Sequence, residues 1–126
     1  LKIGCPKKYT PSKKILSWAK KNKVNLLVTK KPEEAVENAD CIMTDKWVSM
    51  NDKVNKKLKK KDLKSYQVNK ELMKKAKSDA IFMHCLPVGR GKEVTDDVID
   101  GKQSVVWRQA LNRVYVQKSI INWCLD

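Results

Sequence analysis

Ala80-Ile81-Phe82-Met83-His84-Cys85-Leu86-Pro87 is the stretch that decides the fold of this chain. A short apolar run leads into the only histidine of the sequence, and a loop with Gly89 and Gly91 follows the proline. This order predicts a buried strand that ends in ionisable side chains. Because ligands bind at the carboxyl ends of strands in open α/β sheets, we predict a binding site at His84 and Cys85.

On both sides of this stretch, apolar segments of strand length alternate with segments of helical period. The predicted strands are Leu1–Cys5, Val24–Thr29, Asp40–Thr44, Ala80–His84 and Ser104–Trp107. Strands that alternate with helices are typical of a parallel sheet with helices on its faces. The sequence therefore predicts the α/β class.

Residues that favour helix ends mark the segments between these strands. Ser12 or Thr10 is predicted to cap the first helix, which ends near Asn22, and Pro32 starts a short second helix. The later predicted helices are Lys53–Asp62, Lys70–Lys77 capped by Asn69, a short helix between Thr95 or Asp96 and Gly101, and Gln109–Leu125.

The length of 126 residues fits one domain or half of a larger protein. The first residues already have a strand pattern, so we interpret the chain as a fragment of a longer one. It has no apolar run of membrane-spanning length and no secretory leader, which predicts no membrane partner. The four cysteines lie far apart and form no zinc-binding pair, which predicts reduced thiols, no metal and a cytoplasmic or organelle-matrix protein.

The formal net charge of +14 makes nucleic-acid binding an alternative function. However, only three of the 28 basic residues are arginines, and arginine is the side chain that base and phosphate recognition favours. The lysines follow helical segments, without interleaved aromatic side chains on which bases stack. We therefore interpret them as a solvated surface and predict no nucleic-acid partner.

Three groups of polar residues lie at the ends of predicted strands. They are Asp45 with the Ser49-Met50 loop, His84-Cys85-Leu86, and Arg108 or Arg113. In a parallel sheet these groups meet along one edge, where a carboxylate, a thiol and a guanidinium can bind a zwitterionic small molecule and an anion. Adjacent strand residues point to opposite faces, which argues against a Cys–His nucleophile; a buried structural cysteine is the alternative.

The order of the motifs closely resembles the carboxyl-terminal half of ornithine carbamoyltransferases. The matching motifs are Asp45–Met50, Ala80–Pro87, Glu93–Asp96 and Gln109–Arg113. The His-Cys-Leu-Pro segment is the most specific of them, because the related aspartate enzymes carry a proline in place of the cysteine. The resemblance covers residues 1–126 and implies a Rossmann-like ornithine-binding domain, truncated at its N-terminal side.

The resemblance implies transfer of the carbamoyl group from carbamoyl phosphate to the δ-amine of L-ornithine, which gives L-citrulline and phosphate without a cofactor. Asp45, Ser49 and Met50 match the family's residues that hold the α-amino and carboxylate groups of ornithine. Cys85 matches the catalytic cysteine, which lies near the attacking amine and is assigned as its proton acceptor. An amine must lose a proton before it attacks, so a nearby thiolate or carboxylate assists.

The resemblance also implies a set of contacts to carbamoyl phosphate. Cys85, the backbone of Leu86, and Arg113 match the residues that make them in the family. A positive charge at that place stabilises the departing phosphate and the tetrahedral oxyanion. The chain departs from the family's usual residues at Asn51, Gly89, Arg108 and Leu111.

A large part of the family's sequence has no counterpart in this chain. The carbamoyl-phosphate domain, with its Ser-x-Arg-Thr-Arg and His-Pro-x-Gln motifs, is absent, and so is the first, central strand of the ornithine domain. We therefore expect a gap in the sheet between Leu1–Cys5 and Cys41–Thr44. An unpaired buried strand edge is costly and prone to aggregation.

The resemblance predicts a chain that is inactive alone and binds L-ornithine, with carbamoyl phosphate held mainly by the missing half. The full-length family forms homotrimers and acts in arginine biosynthesis or the urea cycle. It is cytoplasmic, or lies in the mitochondrial matrix of animals. Two alternatives stay open, namely a non-catalytic remnant or amino-acid-binding module, and a basic nucleic-acid-binding module.

Overall fold

A computed structural model describes residues 1–48 and 55–125 of the chain. The strands are β1 (Lys2–Gly4), β2 (Leu27–Thr29), β3 (Cys41–Thr44) and β4 (Ile81–His84). The helices are α1 (Lys13–Lys21), α2 (Pro32–Val36), α3 (Lys56–Leu63), α4 (Lys70–Met73), α5 (Asp96–Ile99) and α6 (Val106–Leu125). Short 3-10 helices cover Lys7–Tyr9 and Lys64–Tyr66.

The strands form two parallel pairs, β1 with β2 and β3 with β4. Ile3 lies opposite Val28 in the first pair, and Ile42 lies opposite Phe82 in the second. Each crossover between paired strands contains a helix, as parallel pairing requires. The predicted α/β class with a parallel, incomplete sheet is therefore confirmed.

No strand ladder joins the two pairs within the described ranges. Instead, a cavity of about 210 Å³ is lined by Lys2 and Gly4 of β1 and by Cys41 and Met43 of β3. Helix α2 lines the same cavity and packs against both strands of the first pair. This separation agrees with the gap expected between β1 and β3.

The predicted fifth strand, Ser104–Trp107, is wrong. Ser104 forms only an isolated bridge with Phe82, and α6 begins two residues later at Val106. The Val105 amide donates to the Phe82 carbonyl at 3.0 Å, while the Val105 carbonyl already accepts from the Gln109 amide at 2.8 Å. Because the helical bonds start there, pairing with β4 stops after this one bridge.

The helix ends follow most of the sequence signals. The Ile15 amide donates to Ser12 Oγ at 3.4 Å, so Ser12 caps α1, and the Leu72 amide donates to Asn69 Oδ1 at 2.9 Å at the start of α4. Pro32 occupies the first turn of α2 as predicted. Helix α4 ends at Met73, four residues earlier than predicted, and α3 begins at Lys56.

The main hydrophobic core lies around the second strand pair. It is formed by Val36, Ile42, Val68, Leu72, Met73, Phe82, Val94, Val98, Ile99 and Val106. None of these residues belongs to β1, β2 or α1. Within the described ranges, no helix has both the length and the apolar character needed to span a bilayer.

Candidate active site

The carboxyl ends of β3 and β4 bring Asp45 and Cys85 together. Thr44 and His84 are register partners at the ends of the two strands, so the residues that follow them lie side by side. The Cys85 thiol donates a hydrogen bond to Asp45 Oδ1, with Sγ and Oδ1 3.0 Å apart. The same carboxylate oxygen accepts from the Lys46 amide at 2.6 Å.

This contact shifts the pKa values of the two groups in opposite directions. The hydrogen bond to Asp45, together with partial burial, raises the pKa of the Cys85 thiol above its ordinary value. The bond from Cys85 lowers the pKa of Asp45, and the Lys46 amide acts in the same direction. At neutral pH the pair is therefore a protonated thiol beside a carboxylate. Arg113 acts on Cys85 in the opposite direction. Its positive charge favours the thiolate and so offsets part of the rise in the pKa of the thiol.

An open cleft of about 910 Å³ lies beside Cys85. Residues 84–88 form one wall, and one face of α6 forms the other. Residues three and four positions apart share a helix face. The residues that α6 contributes are Gln109, Ala110, Asn112, Arg113, Val116 and Gln117.

Four of the predicted site residues lie at the cleft or directly beside it. Cys85, Leu86 and Arg113 line the cleft, and Asp45 adjoins it through Cys85. Arg108, the alternative to Arg113, is not among the cleft-lining residues. The predicted ornithine contacts Ser49 and Met50, and the departure Asn51, lie outside the described residues.

His84 belongs to the cleft wall, but its side chain is 0% exposed. Its Nδ1 accepts a hydrogen bond from the Leu86 amide at 2.9 Å, and its backbone amide donates to Gln109 Oε1 at 3.1 Å. Leu86 itself has a φ of 56°, a left-handed backbone that is uncommon for a residue other than glycine. The imidazole is therefore directed to the backbone, which agrees with the argument against a Cys–His nucleophile.

A comparison with known protein families shows which family this chain belongs to. The family model for the aspartate/ornithine carbamoyltransferase Asp/Orn-binding domain matches residues 1–124. The chain belongs to this carbamoyltransferase family.

Similar proteins support the same assignment. The ornithine carbamoyltransferases of Nitrobacter winogradskyi and Rhodopseudomonas palustris are 50% and 52% identical to it over 125 residues, 99% of this chain and 40% of each relative. The Pyrococcus furiosus ornithine carbamoyltransferase structure matches with a TM-score of 0.83 and 43% identity, over 95% of this chain and 40% of that one. The anabolic enzyme of Campylobacter jejuni matches with a TM-score of 0.85 and 32% identity, over 98% of this chain and 42% of that one. The chain thus spans about 40% of the length of these relatives.

The sequence assigns no role to two polar residues of this chain. Gln109 lines the cleft and fixes the His84 amide, and Glu93 is buried with 1% of its surface exposed. Both lie in motifs that carried the family resemblance. Their side-chain partners come from other elements, so neither the periodicity nor the spacing of the sequence indicates them.

The carboxylates and thiols of this family member do not assemble into a metal site in the part of the chain that is described. No group of three or more histidine, cysteine, aspartate or glutamate side chains is placed to hold a metal ion there. Asp96 and Asp100 instead bind Arg90, which fixes the loop after the cleft.

Proposed function

We propose that this chain is the ornithine-binding part of an ornithine carbamoyltransferase. The reaction moves the carbamoyl group of carbamoyl phosphate to the δ-amine of L-ornithine and gives L-citrulline and phosphate. The observation that carries the proposal is the Asp45–Cys85 pair at the rim of the cleft, in a chain of the carbamoyltransferase family. A carboxylate next to a thiol suits a substrate that has one ammonium group to bind and a second amine to deprotonate.

Asp45 supplies the negative charge that an α-ammonium group needs. Its carboxylate lies at the surface and stays ionised, because its pKa is lowered. Oxygen Oδ1 already accepts hydrogen bonds from the Cys85 thiol and the Lys46 amide. A bound ammonium group would donate to the lone pairs of the carboxylate that remain. Ser49 and Met50 are proposed to complete the ornithine contacts.

Ornithine binding would change the protonation of Cys85. In the free chain Asp45 keeps the proton on the thiol, because a thiolate beside a carboxylate is repelled. An ammonium group on Asp45 offsets this negative charge and lowers the pKa of Cys85. The thiolate then accepts the proton that the δ-ammonium group must lose, and the neutral amine attacks the carbamoyl carbon.

The opposite side of the cleft handles the negative charge of the reaction. As the amine adds, the carbamoyl oxygen becomes an oxyanion, and its collapse breaks the bond to phosphate. Arg113 on α6 is the cleft residue whose positive charge acts on Cys85, and it is proposed to bind the phosphate group. The Leu86 backbone is proposed to contact the carbamoyl amide.

Citrulline production tests the proposed reaction. The chain is mixed with the segment of the Nitrobacter winogradskyi relative that it does not cover, and both substrates are added. We expect no citrulline from the chain alone and measurable citrulline from the mixture, with loss of this activity in Asp45→Asn. Robust turnover by the chain alone would contradict the predicted inactivity. A mixture that binds ornithine in calorimetry but makes no citrulline would support a non-catalytic amino-acid-binding module.

The pKa of the Cys85 thiol tests the electrostatic part of the proposal, and its measurement needs no substrate. Asp45→Asn removes the main cause of the raised value, so the pKa of Cys85 should fall and its alkylation at pH 7.5 should become faster. Arg113→Gln should raise the pKa of Cys85 and slow the alkylation. The readout is the alkylation rate of the Cys85 peptide by mass spectrometry, since Cys41 and Cys124 are also exposed. Asp40→Asn is the matched control, because Asp40 lies at the other end of β3 and binds Lys77. Equal alkylation rates of Cys85 in the parent chain and in all three variants would contradict the Asp45–Cys85 contact.

The broader expectations of the family also stay proposals for this chain. They are a role in arginine biosynthesis, a cytoplasmic location and assembly into homotrimers. Nucleic-acid binding is tested by titration with generic DNA across salt concentrations, because phosphate contacts give a steep salt dependence. We expect weak binding at physiological salt, and tight binding there would instead favour a nucleic-acid-binding module.

A further inference from the structure

At the wall of the cleft, a buried histidine and a buried glutamate lie next to each other without a role in the reaction proposed above. The side chains of His84 and Glu93 are 0% and 1% exposed, and His84 Nε2 lies 3.6 Å from Glu93 Oε1. This separation is too long for a hydrogen bond, and Nε2 has no other partner in the described structure. A buried polar pair of this kind needs an explanation, because polar groups are costly to remove from water.

The hydrogen bond to the other ring nitrogen determines the tautomer of His84. Nδ1 accepts from the Leu86 amide at 2.9 Å, and a nitrogen that accepts a hydrogen bond carries no proton. The ring proton therefore lies on Nε2. From there it points to the carboxyl group of Glu93, which is the electrostatically favourable direction between two buried side chains.

Glu93 is in turn bound to the same loop. Its Oε1 accepts a hydrogen bond from the Gly89 amide. A Cβ atom at Gly89 would lie 2.8 Å and 3.0 Å from the two carboxyl oxygens, so residue 89 has no space for a side chain while Glu93 keeps its position. The neighbouring side chains of His84 and Glu93 thus each accept a hydrogen bond from a backbone amide of the loop, that of Leu86 and that of Gly89.

The loop needs such a connection at Leu86. A left-handed backbone at a residue with a side chain is strained, and it persists only where other contacts hold it. The bond from the Leu86 amide to His84 is a contact of this kind, and the Glu93 carboxyl group lies 3.6 Å from the other nitrogen of the ring that accepts it. Leu86 and His84 both belong to the cleft wall, whereas Glu93 is not among the lining residues; the side chains of His84 and Glu93 are buried.

We propose that His84 and Glu93 are positioning residues that hold the backbone of Leu86 in the shape the substrate meets. The part of the proposal that concerns a substrate rests on the proposed function. The geometric part concerns this chain alone and is tested without substrate. Its failure is therefore distinguishable from a failure of the proposed reaction.

The tautomer is the first measurement, and it is simple because the chain has one histidine. In the intact chain, ¹⁵N NMR of the imidazole should show one protonated nitrogen, Nε2, with slow exchange of its proton. Glu93→Gln keeps the size of the side chain and removes its charge, and the Nε2 proton should then exchange several-fold faster. A ring protonated on Nδ1, or on both nitrogens, would overturn the proposal.

The second measurement separates positioning from simple packing. In His84→Asn the side-chain oxygen takes the place of Nδ1, and in His84→Gln the amide nitrogen takes the place of Nε2. Hydrogen exchange of the Leu86 amide should stay near the parent rate in His84→Asn and become about tenfold faster in His84→Gln, as expected for loss of one hydrogen bond. Both rates are compared with the free energy of unfolding of each variant. If the Leu86 rates follow overall stability in the two variants, His84 is only a packing residue and the proposal is wrong.

A third variant provides an independent arm if both histidine variants unfold. Gly89→Ala pushes the Glu93 carboxyl group away without changing His84. We expect faster exchange of the Nε2 proton, as in Glu93→Gln, with the tautomer unchanged. Exchange at the parent rate would show that the Glu93 carboxyl group does not hold the ring and would overturn its role.

Discussion

The two strand pairs of this chain have the same parallel arrangement but very different surroundings. In β3 and β4, Ile42, Phe82 and His84 are buried, and helices α2, α4 and α5 pack over them. In β1 and β2 no residue is buried, and the main core contains none of them. Parallel strands are normally buried on both faces. The first pair therefore lacks cover that a complete sheet would provide.

The difference explains where the candidate site can form. Asp45 and Cys85 follow β3 and β4, the pair whose register is fixed by a buried core. A one-residue slip would exchange the core face for the solvent face, so burial specifies the register strongly. The 3.0 Å contact between the thiol and the carboxylate depends on that register. The site is thus built on the better-packed of the two strand pairs, and the following variants test this difference.

The largest expected effect is that of a cavity in the second pair. Phe82 is fully buried at the centre of β4, and Phe82→Ala should lower the free energy of unfolding by about 3–5 kcal/mol. Val28 occupies the corresponding central position of β2 but is only half-buried, so Val28→Ala should cost less than about 1.5 kcal/mol. Urea unfolding followed by tryptophan fluorescence gives both values. Equal losses in the two variants would contradict the difference between the pairs.

A smaller effect is expected where α2 joins the two halves. A Cβ added at Gly4 of β1 would lie 3.0 Å from the Cβ of Ala35, so Gly4→Ala forces α2 away from β1. Overpacking of this kind costs about 1–3 kcal/mol. The next residue of α2, Val36, belongs to the main core and resists the movement.

A double-mutant cycle isolates this contact. Ala35→Gly removes the opposing methyl group, so the double variant should lose less stability than the sum of the two single variants. The glycine itself costs about 1 kcal/mol in a helix, and this cost is measured by the single variant. Strictly additive losses would mean that α2 does not couple β1 to the core.

The site was more predictable from the sequence than the end of the sheet. Asp45 and Cys85 each follow an apolar strand segment, and neighbouring parallel strands end at the same edge, so their proximity followed from the order of the residues. The segment from Ser104 to Trp107 was predicted as a strand because its valines fit a buried strand. They fit the buried first turn of a helix equally well, and Val106 lies fully buried at the start of α6.

The buried pair at the cleft wall, His84 and Glu93, could not be predicted in this way. Glu93 has the sequence context of an ordinary surface charge, and its burial depends on His84 and on the space at Gly89. His84 belongs to strand β4, and Gly89 lies in the loop between His84 and Glu93. No periodicity of the sequence links these residues to Glu93. Predicting them requires the three-dimensional arrangement of the loop, which the pattern of single residues does not contain.

The smallest expected difference concerns the caps of two helices, one in each half. Asn69 caps α4, which supplies Leu72 and Met73 to the core, whereas Ser12 caps α1, in which only Ala19 is buried. A lost cap typically costs about 1 kcal/mol. We expect Asn69→Ala to lower the free energy of unfolding by about that amount. We expect Ser12→Ala to lower it by less, because its bond is longer and α1 can fray without opening the core.

Hydrogen exchange shows whether the two losses are global or local. Amides of α1 should exchange faster in Ser12→Ala, while the amides of Phe82 and Met83 keep the parent rate. In Asn69→Ala the amides of β4 should exchange faster together with those of α4, because both elements share one core. If Ser12→Ala accelerated exchange in β4 to the same extent, the two halves would unfold as one unit, and the weaker burial of β1 and β2 would have no consequence for stability.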